Sequence, residues 1–167
     1  YNTTHAFFLC ALFLGDTGGL GGGELAVVVA PSGVGKTWLL TCIGAHCASL
    51  GKQVVHYSME LSETYVGARY DTVFTHVPTS DHKEKRDVIK DKIERLPGNL
   101  IIKYFPPRGV SRKQIQRHIE QMTAAGNKPD LIASSIISIV SWALPSPSSG
   151  IKTLPCLSIV FLIISIN

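Results

Sequence analysis

The most chemically suggestive residues form a glycine-rich segment at positions 30–37. It reads Ala-Pro-Ser-Gly-Val-Gly-Lys-Thr and follows a mostly apolar run at 24–29. Gly33 and Gly35 let the backbone turn its N–H groups toward one point, and a following helix adds the positive end of its dipole. The pattern predicts a loop that binds a polyphosphate. The residues predicted to bind it are Pro31, Ser32, Gly33, Val34, Gly35, Lys36, Thr37 and Trp38.

Two residues of this segment are expected to act on the nucleotide and its metal ion. Lys36 is predicted to bring a catalytic cation to the phosphates, and we expect it to face the nucleotide instead of packing in the core. Thr37 is predicted to bind Mg²⁺ through its hydroxyl, because this hard cation prefers oxygen ligands. The expected ligands are therefore ATP and Mg²⁺. The alternative is a glycine-rich turn that merely leads into a core helix.

The elements around this loop alternate between strand and helix, which predicts an α/β fold with a mostly parallel sheet flanked by helices. An apolar helix over about 36–50 is expected to end at Gly51, and Ser111 and Gln114 form a capping box. Further strands are predicted at 53–58, 99–105 and from 128, with the strand at 99–105 buried. Further helices are predicted at 62–76, at 83–96 with Val88, Ile89, Ile93 and Leu96 on one face, and from 111 to a stop at 126–127. The last of these has an apolar inner stripe of Ile115, Ile119 and Met122.

Composition and the two ends of the chain limit the possible classes of protein. The chain has 167 residues, 45% of them hydrophobic, and a formal net charge of +4, which alone does not argue for nucleic acid. Its four cysteines have no paired spacing, so we expect reduced thiols in a cytoplasmic protein. The apolar runs at 6–14 and 157–166 are too short to span a membrane. We expect no membrane association. Residues 1–15 are left unassigned.

Three segments, taken in order, resemble one family. They are Gly18-Gly-Leu-Gly-Gly-Gly-Glu-Leu25, the loop at 30–37, and Val55-His-Tyr-Ser-Met-Glu-Leu-Ser62. Together they look like the ATPase domain of DnaB-type replicative helicases, within the RecA-like class of P-loop NTPases. The resemblance covers residues 16–132. It implies ATP hydrolysis coupled to movement along single-stranded DNA, and assembly of a homo-hexameric ring.

Glu60 matches the family's catalytic glutamate, which orients or deprotonates the water that attacks the γ-phosphate. A carboxylate at the carboxyl edge of a strand neighbouring the first strand would lie beside the phosphate loop. The alternative is a structural role for Glu60 as a negative charge before a helix. Arg69 and Tyr70, on the helix that follows, also resemble the family, but packing and surface ion pairs account for them.

The resemblance breaks after Ile132, where the family requires the Walker B aspartate that holds magnesium. Ser135 occupies that position and supplies no negative charge. With suitable codons, DNA encoding residues 133–140 reads in another frame as Ile-Val-Asp-Tyr-Ile-Asp, which is what the family would have there. We therefore interpret residues 133–167 as a divergent, out-of-frame tail, and expect the fold to be truncated or degenerate after about residue 132.

A cluster of basic residues suggests a surface that contacts DNA phosphates, although solubility or a subunit contact explains it equally well. The cluster consists of Lys103, Arg108, Arg112, Lys113 and Arg117, with no acidic residue between Leu96 and Ile119. The leading hypothesis is thus a replicative-type helicase ATPase domain. The alternatives are another RecA-like ATPase, of the recombinase or clock type, and a nucleotide-binding remnant without turnover.

Overall fold

The computed structural model describes residues 25–29, 33–106, 110–135 and 160–165. These residues form an α/β structure. The strands are β1 (Leu25–Val29), β2 (Gln53–Ser58), β3 (Asn99–Tyr104), β4 (Leu131–Ser134) and β5 (Val160–Ser165). The helices are α1 (Lys36–Ser49), α2 (Glu63–Thr75), α3 (Arg86–Glu94) and α4 (Arg112–Ala124), with a short 3-10 helix at Thr79–Asp81.

The strands form one sheet in the order β1-β5-β4-β2-β3. Strand β2 is parallel to both β3 and β4, so three strands form the predicted parallel sheet. Strand β5 is antiparallel to β1 on one side and to β4 on the other. Because β1 and β4 both oppose β5, they run in the same direction. The carboxyl ends of β1, β2, β3 and β4 therefore lie at the same edge of the sheet.

Helices cover both faces of the parallel strands. On one face, α1 and α2 pack against alternate residues of β2 and β4, including Val54, Leu131 and Ala133. On the other face, Ile115 and Met122 of α4 pack against Val55 and Ile132, the intervening residues of the same strands. This alternation follows from the two-residue repeat of a β-strand, which turns successive side chains to opposite faces. The apolar stripe predicted for α4 is thus confirmed.

Two helices end where the glycine signals predict. After α1, Gly51 has φ +83, its N–H donates to Ala48 O, and the N–H of Lys52 donates to Cys47 O. Gly126 ends α4 in the same way, at φ +84. Both ends are Schellman motifs, which need a left-handed residue at this position. The capping box at the start of α4 is also confirmed, since Ser111 and Gln114 bond to each other's backbone N–H groups.

Three elements differ from the sequence-based expectation. Helix α3 begins at Arg86 instead of 83. Ile89 is the buried residue on this short helix, whereas Val88, which was predicted to lie on the same face, is 55% exposed. Strand β3 is half-buried, since it lies at the end of the sheet and not inside it.

The third difference is β5. Its residues belong to the tail after about residue 132 in which we expected the fold to be truncated or degenerate, but they pair with β1 and β4. The pairing of β4 also continues past residue 132, to Ser134. Within the ranges that the model describes, no helix is long and apolar enough to cross a membrane.

Candidate functional site

The backbone of the glycine-rich segment has the conformation that its glycines allow. Gly33 and Gly35 have φ +82 and +92, which residues with a side chain rarely adopt. A Cβ at either position would meet nothing within 4 Å. The glycines are therefore required by backbone conformation and not by space. Pro31 and Ser32 lie outside the described residues, and Val34 is exposed.

The first turn of α1 suits an anion. Gly35 is the N-cap residue and brings no capping side chain, and the first turn holds no acidic residue. The N–H groups at the start of a helix have no partner within it and lie at the positive end of the dipole. A phosphate group would accept hydrogen bonds from these N–H groups and would place its negative charge at the positive end of the dipole. The donor set therefore fits the predicted polyphosphate.

Lys36 begins this helix, but it is less exposed than the sequence analysis expects. Only 7% of the residue is accessible, so the expectation of a lysine held out of the packed structure is wrong. A lysine can bury its aliphatic stem along the protein while its ammonium group reaches a polar partner. Replacing Lys36 would consequently remove packing as well as charge.

Thr37 and Trp38 follow Lys36 in the first turn and are both half-buried. The carbonyl oxygen of Thr37 accepts a hydrogen bond of 2.8 Å from the Thr41 hydroxyl. One hydroxyl beside a phosphate loop fits a magnesium ion that takes its other ligands from phosphate and water. Among the described residues, no group of three His, Cys, Asp or Glu side chains could hold a metal ion.

Glu60 is exposed, two residues beyond the end of β2. From the sequence, the strand before Glu60 was expected to lie next to the first strand. Instead, β5 and β4 separate β2 from β1. Three strand spacings place β2 about 14 Å from β1. Glu60 therefore shares the sheet edge with the phosphate loop but does not extend from an adjacent strand.

Ser135 lies directly after β4, beside the chain that leads to Glu60. Its N–H donates to Tyr57 O at 3.1 Å, and its hydroxyl accepts from the Met59 N–H at 3.2 Å. The position expected for the Walker B aspartate is thus at the carboxyl edge, next to the end of β2. A neutral, buried hydroxyl occupies it.

One contact near these residues was not anticipated from the sequence. The guanidinium carbon of Arg69, on α2, lies 5.2 Å from the centre of the Trp38 ring, in cation–π geometry. The sequence analysis assigned Arg69 only packing or surface ion pairs. Its position nine residues after Glu60 can be read from the sequence, but the contact with Trp38 arises from the packing of α1 against α2.

A second unanticipated contact lies deeper, where His56 of β2 and Tyr70 of α2 share a hydrogen bond of 2.9 Å. Burial, and then the charge of Arg69, lower the pKa of His56 from 6.5 to about 4. Burial raises the pKa of Tyr70. Both side chains are consequently neutral at physiological pH.

The predicted basic cluster is only partly assembled. Arg112, Lys113 and Arg117 are exposed on α4. Lys103, on β3, pairs with Glu63 at 3.7 Å, which neutralises part of its charge. Arg108 lies outside the described residues. What remains is a basic stretch of α4, on the opposite face of the sheet from α1.

Scans of protein-family models and of curated proteins found no match to this chain.

Proposed function

We propose that this chain is an ATP-binding domain of the RecA-like P-loop class, derived from the ATPase domain of a DnaB-type replicative helicase. The proposal includes Mg²⁺ as the metal ion, single-stranded DNA as the partner, and a cytoplasmic homo-hexamer as the working form of the family. It rests on the motif resemblance together with the geometry at residues 33–38.

The observation that carries the proposal is the start of α1. Two glycines with positive φ lead into a helix whose first turn has neither a capping side chain nor an acidic residue. An ordinary turn into a core helix would gain stability from a capping side chain or an early carboxylate, and this helix has neither. An anion supplied by a ligand accounts for their absence.

The expected chemistry follows from the positions of three residues. Lys36 and the amides of the first turn would bind the β- and γ-phosphates, and Thr37 would hold the magnesium ion that offsets their charge. Glu60 would orient the attacking water from the same edge of the sheet. Because two strands separate Glu60 from β1, the nucleotide must extend across the edge for its γ-phosphate to meet this carboxylate.

Ser135 favours a second candidate function, a nucleotide-binding protein without turnover. The neutral hydroxyl stands where a carboxylate would hold the magnesium ion through water, and it is engaged by the Met59 N–H. Binding needs the phosphate loop, whereas hydrolysis also needs the missing charge. The two functions therefore differ in turnover and not in affinity.

Equilibrium binding of ATP, with and without Mg²⁺, tests the shared part of both candidates. We expect Lys36→Ala to weaken ATP binding by at least about 100-fold, because it removes a charge-assisted contact to phosphate. Lys113→Ala is the matched control, since it removes the same charge from an exposed site on α4. Equal affinity in the Lys36→Ala variant and the parent would overturn the assignment of the loop.

A turnover assay with and without single-stranded DNA separates the two candidates. We expect little hydrolysis by the parent chain, and no rescue by Ser135→Asp alone, because a neighbouring subunit's arginine and the remaining sheet are also needed. DNA-stimulated hydrolysis by this chain would refute the non-catalytic candidate. It would also refute our interpretation of residues 133–167 as out of frame.

A further inference from the structure

Glu60 lies on a turn that crosses the carboxyl end of β2. Met59, on one side of it, packs against the apolar cluster beneath α4, and Leu61, on the other side, packs against the cluster beneath α1 and α2. Both of these residues are half-buried, whereas Glu60 between them is exposed. The turn is therefore anchored on both faces of the sheet, and Glu60 is the residue at its centre that a ligand can reach.

The hydroxyl of Ser58 holds the Leu61 side of this turn. It donates a hydrogen bond of 2.7 Å to Leu61 O and accepts one of 3.1 Å from the Leu61 N–H. Ser58 is only 3% exposed, and its own carbonyl oxygen accepts from the Phe105 N–H at 2.8 Å, just beyond the end of β3. A residue fixed in the sheet thus engages both backbone polar groups of Leu61.

The hydroxyl of Ser135 holds the Met59 side. It accepts a hydrogen bond of 3.2 Å from the Met59 N–H and donates to Tyr57 O at 3.5 Å. The backbone N–H of Ser135 also donates to Tyr57 O, at 3.1 Å, which fixes this residue at the end of β4. Because Ser135 is buried, water does not readily replace these bonds. One neutral side chain therefore ties β4 to the residue directly before Glu60.

We propose that Ser58 and Ser135 are positioning residues, which fix the backbone on either side of Glu60 and so determine where its carboxylate is presented. A glutamate side chain has several rotamers, so its carboxylate is placed reproducibly only when its backbone is held still. At position 135 the hydroxyl thus holds this turn, where a carboxylate would serve the metal ion. The role of Glu60 rests on the proposed function, whereas the two hydroxyl contacts do not.

Amide hydrogen exchange and nitrogen relaxation of the nucleotide-free chain test the two contacts separately. We expect Ser135→Ala to speed exchange of the Met59 N–H by about tenfold and to leave that of the Leu61 N–H within about twofold. Ser58→Ala should have the reverse effect on these two amides. Both variants should lower the order parameter of the Glu60 amide from about 0.85 to below about 0.6, because each releases one side of the turn.

Ser49→Ala is the control for loss of a hydroxyl elsewhere, because the Ser49 hydroxyl donates to Ala45 O at 2.9 Å within α1. This variant should leave the order at Glu60 unchanged, and thermal midpoints show whether each variant remains folded. The two serines of the turn lie in different strands or strand ends, so either variant alone decides the outcome if the other does not fold. Unchanged order at Glu60 in the folded serine variants, or an equal loss of order in Ser49→Ala, would overturn the proposal.

Titration with MgATP then relates the turn to the nucleotide. We expect MgATP to shift the amide resonance of Glu60 in the parent, and both serine variants to bind ATP within about twofold of the parent but to show less than about half of this shift. The full shift in both variants, or no shift in a parent that binds ATP, would overturn the positioning role. If the parent binds no ATP, the proposed function fails, while exchange and relaxation still decide whether the two hydroxyls fix the turn.

Discussion

Two neighbouring residues of β2 make the same kind of hydrogen bond on opposite faces of the sheet. His56 bonds to Tyr70 of α2, and Tyr57 bonds to His118 of α4, each at 2.9 Å. In both pairs the rings also meet edge-on. The chemistry and the distance are matched, so the two pairs differ mainly in their surroundings.

The pair on the α1 and α2 face is sealed. His56 is 0% exposed and its Nε2 atom has no hydrogen-bond partner among the described residues, while the Tyr70 hydroxyl lies in a notch above Gly44 of α1. Burial lowers the pKa of His56 and raises that of Tyr70. Any change of charge or volume here must be accommodated inside the core.

The pair on the α4 face opens to solvent. Tyr57 is fully buried, but His118 is half-buried, and the pKa of His118 is lowered by partial burial and then by the charge of Lys103. Water can therefore replace a lost hydrogen bond on the histidine side. The comparison indicates that burial of the partner, more than the hydrogen bond itself, determines how much each pair contributes to stability.

The same contrast separates the candidate functional regions. Arg69 directly precedes Tyr70, the partner of His56, on the helix that covers the sealed face, and its guanidinium lies over Trp38 of α1. The exposed basic residues of α4 belong to the other face. We expect substitutions on the sealed face to disturb both stability and the candidate nucleotide site, and substitutions on the α4 face to leave that candidate site intact.

The largest effect should come from acid. In the folded state the pKa of His56 is about 4, below its ordinary value of 6.5, so the unfolded state binds the proton first as pH falls. His56 therefore contributes stability above pH 6.5 that is lost between about pH 6.5 and 4. The expected loss is about 3 kcal/mol of unfolding free energy, measured by urea denaturation at several pH values.

A flatter pH profile in His56→Gln would identify His56 as the source of this loss. His118→Gln is the matched control on the other face, and should retain most of the dependence seen in the parent. If the His56→Gln and parent profiles have the same slope from pH 6.5 to 4, the sealed pair does not control acid stability.

Local signals in the sequence were sufficient for much of this fold. The glycines that end α1 and α4, the Ser111 capping box and the apolar stripe of α4 depend on residues no more than seven apart, and the structure contains all of them. The positive φ of Gly33 and Gly35 likewise follows from their type and spacing. Such short-range features depend on local backbone geometry, which the types and spacing of neighbouring residues indicate directly.

The features that were missed depend on distant parts of the chain. Strand β5 enters the sheet between β1 and β4, yet 160–165 is a continuous apolar run that gives no indication of its partners. Nor does the sequence indicate that Arg69 stacks on Trp38, or that two strands separate β2 from β1. Strand order and helix packing decide these positions, and neither has a local signature.

The next largest effect should come from filling the notch above Gly44. An alanine Cβ there would meet the Tyr70 hydroxyl, whose displacement breaks the bond to His56. We expect Gly44→Ala to lower the unfolding free energy by about 2 kcal/mol, even after the gain in helix propensity. Gly67→Ala is the control on α2: its Cβ would lie at an ordinary 3.8 Å from Ile102, so it should stabilise. Destabilisation by both, or by neither, would mean that the notch is not tightly packed.

A smaller effect is expected from Tyr70→Phe. The change leaves both ring nitrogens of His56 without a partner inside the core, since Nε2 already has none. An unsatisfied buried polar atom costs about 1–3 kcal/mol, and we expect a loss near 1.5 kcal/mol in urea denaturation. ATP affinity should be measured in parallel, because Tyr70 directly follows Arg69, which stacks on Trp38. A neutral substitution would show that the hydrogen bond contributes nothing net on the sealed face.

The smallest effect should come from Tyr57→Phe, which removes the equivalent hydrogen bond on the α4 face. The ring stays packed against Phe105, and the Nδ1 atom of half-buried His118 can bond to water in place of the lost hydroxyl. We therefore expect a loss of about 0.5 kcal/mol or less, with unchanged ATP affinity. Tyr57→Phe and Tyr70→Phe each remove one hydroxyl from a hydrogen bond of the same length, so their unfolding free energies should be compared under the same conditions. A loss in Tyr57→Phe as large as that in Tyr70→Phe would show that solvent access to the histidine does not determine the contribution of either pair.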